Sequence, residues 1–260
     1  MRSRYKDREY FESRIEFAQT SEERRLRKIQ NGEISQKRIY SVLVDISGNY
    51  LRSMRSRYSA GDDISNMKND LDKSIEYLLK GASNGFGKLK YSATEIYDQY
   101  GGSFYEQVLS ILSVCFLLNS SSDHFNKIAQ LIDRDRVQDL LFEFIIRQKV
   151  NGRKELVTES YQKYFKIPET YKGLREAIKE SDKRKVTQLI DKFITKEWYS
   201  NHKEFGWYES HKKDNEAYTG YWSFETAVIV VILNIDDTNF RDNEYYPKDL
   251  VDYYRANQPI

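Results

Sequence analysis

Apolar residues in the first third of the chain recur at helical spacing between dense charges. In DREYFESRIEFAQTSEERRLRKIQNG, Tyr10, Phe11, Ile15, Phe17, Leu26 and Ile29 form one stripe, and Gly32 supplies the stop. A second helix is predicted over ISQKRIYSVLVDISGNYLRSMRSRYSAG, where Ile39, Leu43, Ile46, Tyr50 and Met54 recur three or four apart. Asp62 or Asp63 is a good N-cap for a third, which carries Met67, Leu71, Ile75 and Leu78 on one face. The three glycines of KGASNGFGKLKYSAT then break the pattern. They place an internal boundary at residues 81–92 and divide a helical domain of long charged helices, residues 1–90, from a second helical domain, residues 91–260.

Beyond the boundary, GGSFYEQVLSILSVCFLLN is apolar nearly all round, the pattern of a helix central to a core. Two later segments, 133–148 and 182–197, align with Val137 on Val186, Leu140 on Leu189 and Phe144 on Phe193. Helix pairs repeating about 49 residues apart suggest stacked α-hairpins, although any two amphipathic helices share a stripe. Pro168 opens a short helix ahead of the second copy. Near the end, YTGYWSFETAVIVVILNIDD leads into seven consecutive apolar residues, Ala227 to Leu233, framed by aromatics before and acids after.

Composition sharpens this into a fold class. Charged residues make up 32% of the 260, yet aromatics reach 14%, too many for a disordered chain. Only 3 Pro and 12 Gly leave little punctuation for an all-β fold. The expectation is all-α: a helical bundle or stacked α-hairpins in two packed parts. The single Cys115 lies in an apolar run and reads as a buried, inert thiol, which suits a reducing compartment. The amino terminus lacks an apolar signal core, and the stretch from Phe104 to Leu118 is shorter than the ~20 residues a bilayer requires. A soluble cytoplasmic protein without membrane contact, monomer or homodimer, is the resulting expectation.

Charge is unevenly spread under a net of +2. Residues 1–60 hold fourteen Lys/Arg and eight Asp/Glu, 14 − 8 = +6; residues 201–260 hold six and eleven, 6 − 11 = −5. Such asymmetry bears on partners, not on fold. The basic front mixes arginine with tyrosine, as nucleic-acid binders do, in RSRYKDR and RSMRSRY. Acids interleaved at i,i+4 spacing also suit an ordinary solvated helix face.

Signatures of catalysis are missing: the chain has no G-x-G-x-x-G, Walker loop, H-E-x-x-H or G-x-S-x-G. GASNGFG has neither the lysine nor the preceding strand of a phosphate cradle and reads as a linker. His202 and His211, with Glu204, Glu209 and Asp214 nearby, could be imagined as a metal site. Their nine-residue spacing fits no helical face, so surface histidines are the expectation. No enzyme, no cofactor and no metal are expected.

The rear raises two questions of placement. Ser223 is set to cap the apolar helix, and Glu225 in its first turn either sits near the positive dipole end or is buried against Tyr or Trp donors. Asp236 and Asp237 follow the helix, where carbonyl dipoles already concentrate negative charge. They call for a compensating cap of the next turn, an internal arginine or a cationic partner. Pro247 fits the first turn of a short helix, PKDLVDYYR.

Taken together, YTGYWSFETAVIVVILNIDDTNFRDNEYYPKDLVDY resembles the carboxy-terminal signature of the PoNi immunity-protein family: a GYWSFE block, an apolar helix, a D-D pair, then Y-P-x-D-L. The block comprises Gly220, Tyr221, Trp222, Ser223, Phe224 and Glu225, and Pro247 belongs to the last element. Asp7 to Phe11 resemble the opening of the family's first domain, while Lys248 and Val230-Val231 depart from its pattern. The resemblance implies an all-α bacterial immunity protein that binds and blocks a cognate nuclease (DNase) toxin, with no catalysis and no direct nucleic-acid contact of its own.

Charge and composition, not the resemblance, suggest the contact surface. Asp236, Asp237, Asp242, Glu244, Asp249 and Asp252 supply acid, with Tyr245, Tyr246 and Tyr253 as aromatic anchors. Such a surface can take the place of DNA on a nuclease's cationic site, and charge complementarity speeds association. A plainer expectation is that half of these residues cap helices and face solvent. The alternative function is a nucleic-acid-binding helical module that uses the basic front.

Overall fold

The computed structural model describes residues 1–83, 85–92, 94–161, 167–213 and 217–258. The protein is mostly α-helical, as the periodicity predicts, with one small two-stranded antiparallel sheet in addition. The chain forms two compact units that are not contiguous in sequence. One comprises Met1–Phe86 with Glu209–Tyr221, and the other comprises Gly87–Tyr208 with Trp222–Ile260.

Among the described residues, three α-helices build the first unit: α1 (Arg8–Gln30), α2 (Gln36–Ala60) and α3 (Met67–Gly81). The Asp7 carboxylate starts α1 by accepting the Tyr10 N–H at 2.9 Å. Gly61, in the left-handed region at φ 85°, ends α2, and a Cβ there would come within 2.7 Å of the Met1 nitrogen. Asp63 caps a single 3₁₀ turn, Ile64–Asn66, that leads into α3. Met67, Leu71, Ile75 and Leu78 are all buried on one face of α3, as the pattern predicts.

The other two stripes come out differently. In α1 the buried positions are Phe11, Ile15, Ala18, Ser21 and Glu22, a narrow seam at spacings of three and four. Phe17 falls off that seam and stays 59% exposed beneath the Arg14 guanidinium, 4.5 Å from its ring. Helix α2 buries Val42, Val44, Ile46, Ser47, Leu51, Ser53 and Met54, far more than one stripe, because α1 and α3 both pack on it. Small residues allow the close α2–α3 approach: Ser47 Oγ meets Ser74 Oγ at 3.1 Å, and Ser74 Oγ donates to the Ser47 carbonyl at 3.0 Å. The returning segment is sewn to these helices, since the Tyr10 hydroxyl donates to the Tyr218 carbonyl and the Ser59 hydroxyl to that of Thr219.

In the second unit, β1 (Lys88–Lys90), inside the expected boundary at 81–92, pairs with β2 (Ile96–Tyr100) beyond it. Helix α4 (Gly102–Leu117) follows, with twelve of its residues buried, Cys115 among them. On it pack α5 (Ser122–Arg134) and α6 (Leu140–Ile146); α7 (Ile167–Thr170) and α9 (Lys183–Lys192) pack on α8 (Lys172–Ala177), which reaches α6, and α10 (Trp198–Asn201) follows, while α11 (Phe224–Leu233) and α12 (Lys248–Ala256) return to α4. The two aligned segments differ in structure. Residues 182–197 run through α9 into a π turn, Phe193–Glu197, whereas 133–148 is broken between α5 and α6 at Arg136, φ 57°. A buried Asp135 carboxylate, accepting from the Tyr100 hydroxyl at 3.0 Å and from Arg134, holds that break. The shared stripe therefore reflects amphipathicity and not a repeated helix.

Candidate partner-binding site

Helix α11 is the frame of the rear segment. It is buried almost throughout and packs on α4 and α12. Gly220, at φ 113°, turns the chain just ahead of it. Tyr221, Trp222, Ser223 and Phe224 are buried, and the passage from the first unit to the second falls between Tyr221 and Trp222.

Ser223 holds the N-cap position without a side-chain bond to the helix backbone. Its hydroxyl instead donates to Glu225 Oε1 at 2.9 Å and meets Thr226 Oγ1 at 2.7 Å, while its N–H donates to the Tyr245 carbonyl. Glu225 follows the second of its two readings. It is 6% exposed and accepts the Trp198 indole N–H at 2.5 Å. Burial raises its pKa above the ordinary carboxylate value, and its hydrogen bonds, those from Trp198 and Ser223 among them, partly offset this.

A matching pair lies alongside, with Trp207 Nε1–H donating to Glu106 at 2.6 Å and the two indoles stacked 5.4 Å apart. His202 is in this core and not on the surface. Its Nδ1 donates to the Trp198 carbonyl at 2.5 Å, and Nε2 meets the Tyr171 hydroxyl at 3.1 Å. Both ring nitrogens are thus engaged within the protein. The Trp198–Glu225 bond ties the first turn of α11 to α10.

Past α11, Asn234 adopts the left-handed conformation and the two aspartates part company. Asp236 stays exposed and caps the next turn, its Oδ1 accepting the Thr238 N–H at 3.0 Å and hydroxyl at 2.5 Å. Those bonds hold its carboxyl below the usual value. Asp237 turns inward to 4% exposure. It accepts from Arg255 at 2.9 Å, the Tyr246 hydroxyl at 3.0 Å and Arg241 at 3.1 Å. Compensation for acid at the helix end therefore comes from within the chain: a turn cap for Asp236, two arginines for Asp237.

Of the nine suggested contact residues, Asp237 and Tyr246 lie inside, with their polar atoms engaged. The others line the loop 234–246 and α12. Asp242 is highly exposed and pairs with Lys248 at 2.6 Å, which lowers its pKa. Asp252 pairs with Arg241, the same side chain that reaches Asp237. Glu244, Asp249, Tyr245 and Tyr253 are partly exposed. Tyr245 stacks on Tyr199 at 5.0 Å and against Trp198 at 5.2 Å. Pro247 is buried at the N-cap position of α12. Residues 234–258 hold six acids and three cations, 3 − 6 = −3, so the segment stays acidic after every internal pair is counted.

Sequence reading missed Trp198, Trp207 and Glu106 as partners of the motif, and Arg241 and Arg255 as counterions of Asp237. Only Asp237–Arg241, at i,i+4, left a local trace.

The fold and this segment together define a mostly helical protein whose rear segment is acidic. Two family models match nearly the whole chain: "PoNe immunity protein (PoNi), N-terminal" over residues 2–130 and "PoNe immunity proteins (PoNi), C-terminal" over residues 137–250. The chain belongs to the PoNi family of immunity proteins. Its fold is similar to that of protein PA2201 from Pseudomonas aeruginosa, a crystal structure with a TM-score of 0.65 and 15% identity, over 98% of this chain and 90% of that one. No curated protein matches it.

Proposed function

We propose that the protein binds a cognate PoNe-type nuclease, a DNase, one to one and blocks it, without catalysis of its own. Membership of the immunity family over both halves of the chain carries this reading. The proposed contact surface is the exposed part of the acidic rear: Asp236, Asp242, Glu244, Asp249 and Asp252, with Tyr245 and Tyr253 as aromatic anchors. A nuclease holds phosphates with cations, and carboxylates on a fixed frame can meet those cations at little ordering cost. Asp237 and Tyr246 support the surface from beneath.

Titrating the protein into the nuclease encoded beside its gene tests the reading, with DNA cleavage as the readout. Complete inhibition at a one-to-one ratio is expected, and undiminished cleavage at excess protein would refute it. Asn or Gln at the five exposed acids should weaken inhibition at least tenfold and make it less sensitive to salt. Full inhibition by a folded variant would put the contact elsewhere.

A further inference from the structure

A buried carboxylate in the first unit has no role in the proposed binding surface. Glu22 closes the buried seam of α1 after Phe11, Ile15, Ala18 and Ser21, and is 1% exposed. Neither of its oxygens meets a donor in good hydrogen-bond geometry, although the Tyr50 hydroxyl of α2 approaches it. From α3 it faces a second buried carboxylate, Asp70, which accepts the Arg57 Nε–H of α2 at 2.7 Å. Arg25, on its own helix, is the cation that faces it, and one terminal nitrogen of that guanidinium is itself buried without a partner. Tyr77 of α3 closes the cluster by stacking on Tyr50 at 5.8 Å.

Two carboxylates and a phenol thus crowd one place between three helices, and the one well-formed ion pair in the cluster belongs to Asp70. An ionised carboxylate there is shut off from water with only the poorly aligned Tyr50 hydroxyl beside it, whereas a neutral carboxyl is far cheaper to bury. We propose that Glu22 is a proton-dependent latch: protonated, it lets α1 close on α2 and α3, and ionised, it loosens α1. Burial pushes its pKa up to about 7 from 4.5, so the latch works around neutral pH.

The sign follows from linkage. A carboxyl whose folded pKa is raised contributes stability below its unfolded pKa and loses it as pH climbs to the folded value. With 4.5 and about 7 as the two limits, opening of α1 should be about tenfold more favourable at pH 8 than at pH 6.

Hydrogen–deuterium exchange of the α1 amides at the two pH values, corrected for intrinsic rates, reads that ratio directly. The wild type should show the tenfold rise, and Glu22→Gln should show a ratio near one. An equal rise in Glu22→Gln, or none in the wild type, would overturn the proposal. Should the variant not fold, the carboxyl carbon shift of Glu22 in the labelled wild type decides: titration below pH 5 rejects the latch, and titration near 7 supports it.

Discussion

Asp237→Ala separates a supporting residue from a contact residue. The carboxylate is buried and accepts from three side chains, two of them cationic. Its removal strands the Tyr246 hydroxyl, which donates to it from a residue only 2% exposed; an orphaned buried donor costs about 1–3 kcal/mol. Arg241 and Arg255 keep about a third of their side chains in water, so they can be re-solvated. Each lost ion pair is then worth about 0.5–1 kcal/mol, toward the upper end of exposed pairs. The total is about 2–5 kcal/mol, or a melting temperature lower by roughly 5–15 °C. Tyr246→Phe alone should cost about 1 kcal/mol, because Asp237 keeps both arginines. The double variant should fall short of the sum by about 2–4 kcal/mol, since removing the hydroxyl together with the carboxylate leaves no buried donor unsatisfied. Urea unfolding of the four proteins, alongside nuclease inhibition, completes the experiment. Stability unchanged within 0.5 kcal/mol, with inhibition lost, would refute the supporting role and make Asp237 a contact.

Other consequences are equally direct. Gly81→Ala places a Cβ 2.7 Å from the Val44 nitrogen and 2.9 Å from the Tyr40 carbonyl oxygen, so α2 and α3 must separate; a loss of about 1–3 kcal/mol in urea unfolding is expected. Trp198→Phe removes the indole donor to Glu225 and should cost about 1–3 kcal/mol, which thermal melts will report. Because the folded pKa of Glu225 is raised, its contribution to stability is present below about pH 4.5 and is lost as pH rises through the folded value; Glu225→Gln should flatten that part of the stability–pH curve.

Local pattern carried much of the architecture. The 3.6-residue period located α1, α2 and α3, the all-round apolar run located α4, and the seven-residue run located α11, because burial of an apolar face is recorded at fixed spacing in the chain. The GYWSFE and Y-P-x-D-L blocks were legible as a family signature for the same reason: they are contiguous. Width of burial was not legible. Phe17 and Ile15 look alike in sequence, and only the narrow seam of α1 leaves one in water and the other in the core.

Tertiary structure alone decided the fate of each charge. Asp236 and Asp237 are adjacent and chemically identical, yet one caps an exposed turn while the other is buried under Arg241 and Arg255. Glu225 finds its donor 27 residues back, at Trp198, and Glu22 meets Asp70 only because α1 and α3 flank the same part of α2. A carboxylate's energy depends on which donors and how much water surround it, and those neighbours come from distant parts of the chain. Helices are written in short-range periodicity; the sorting of acids into surface, cap and buried partner is set by folding.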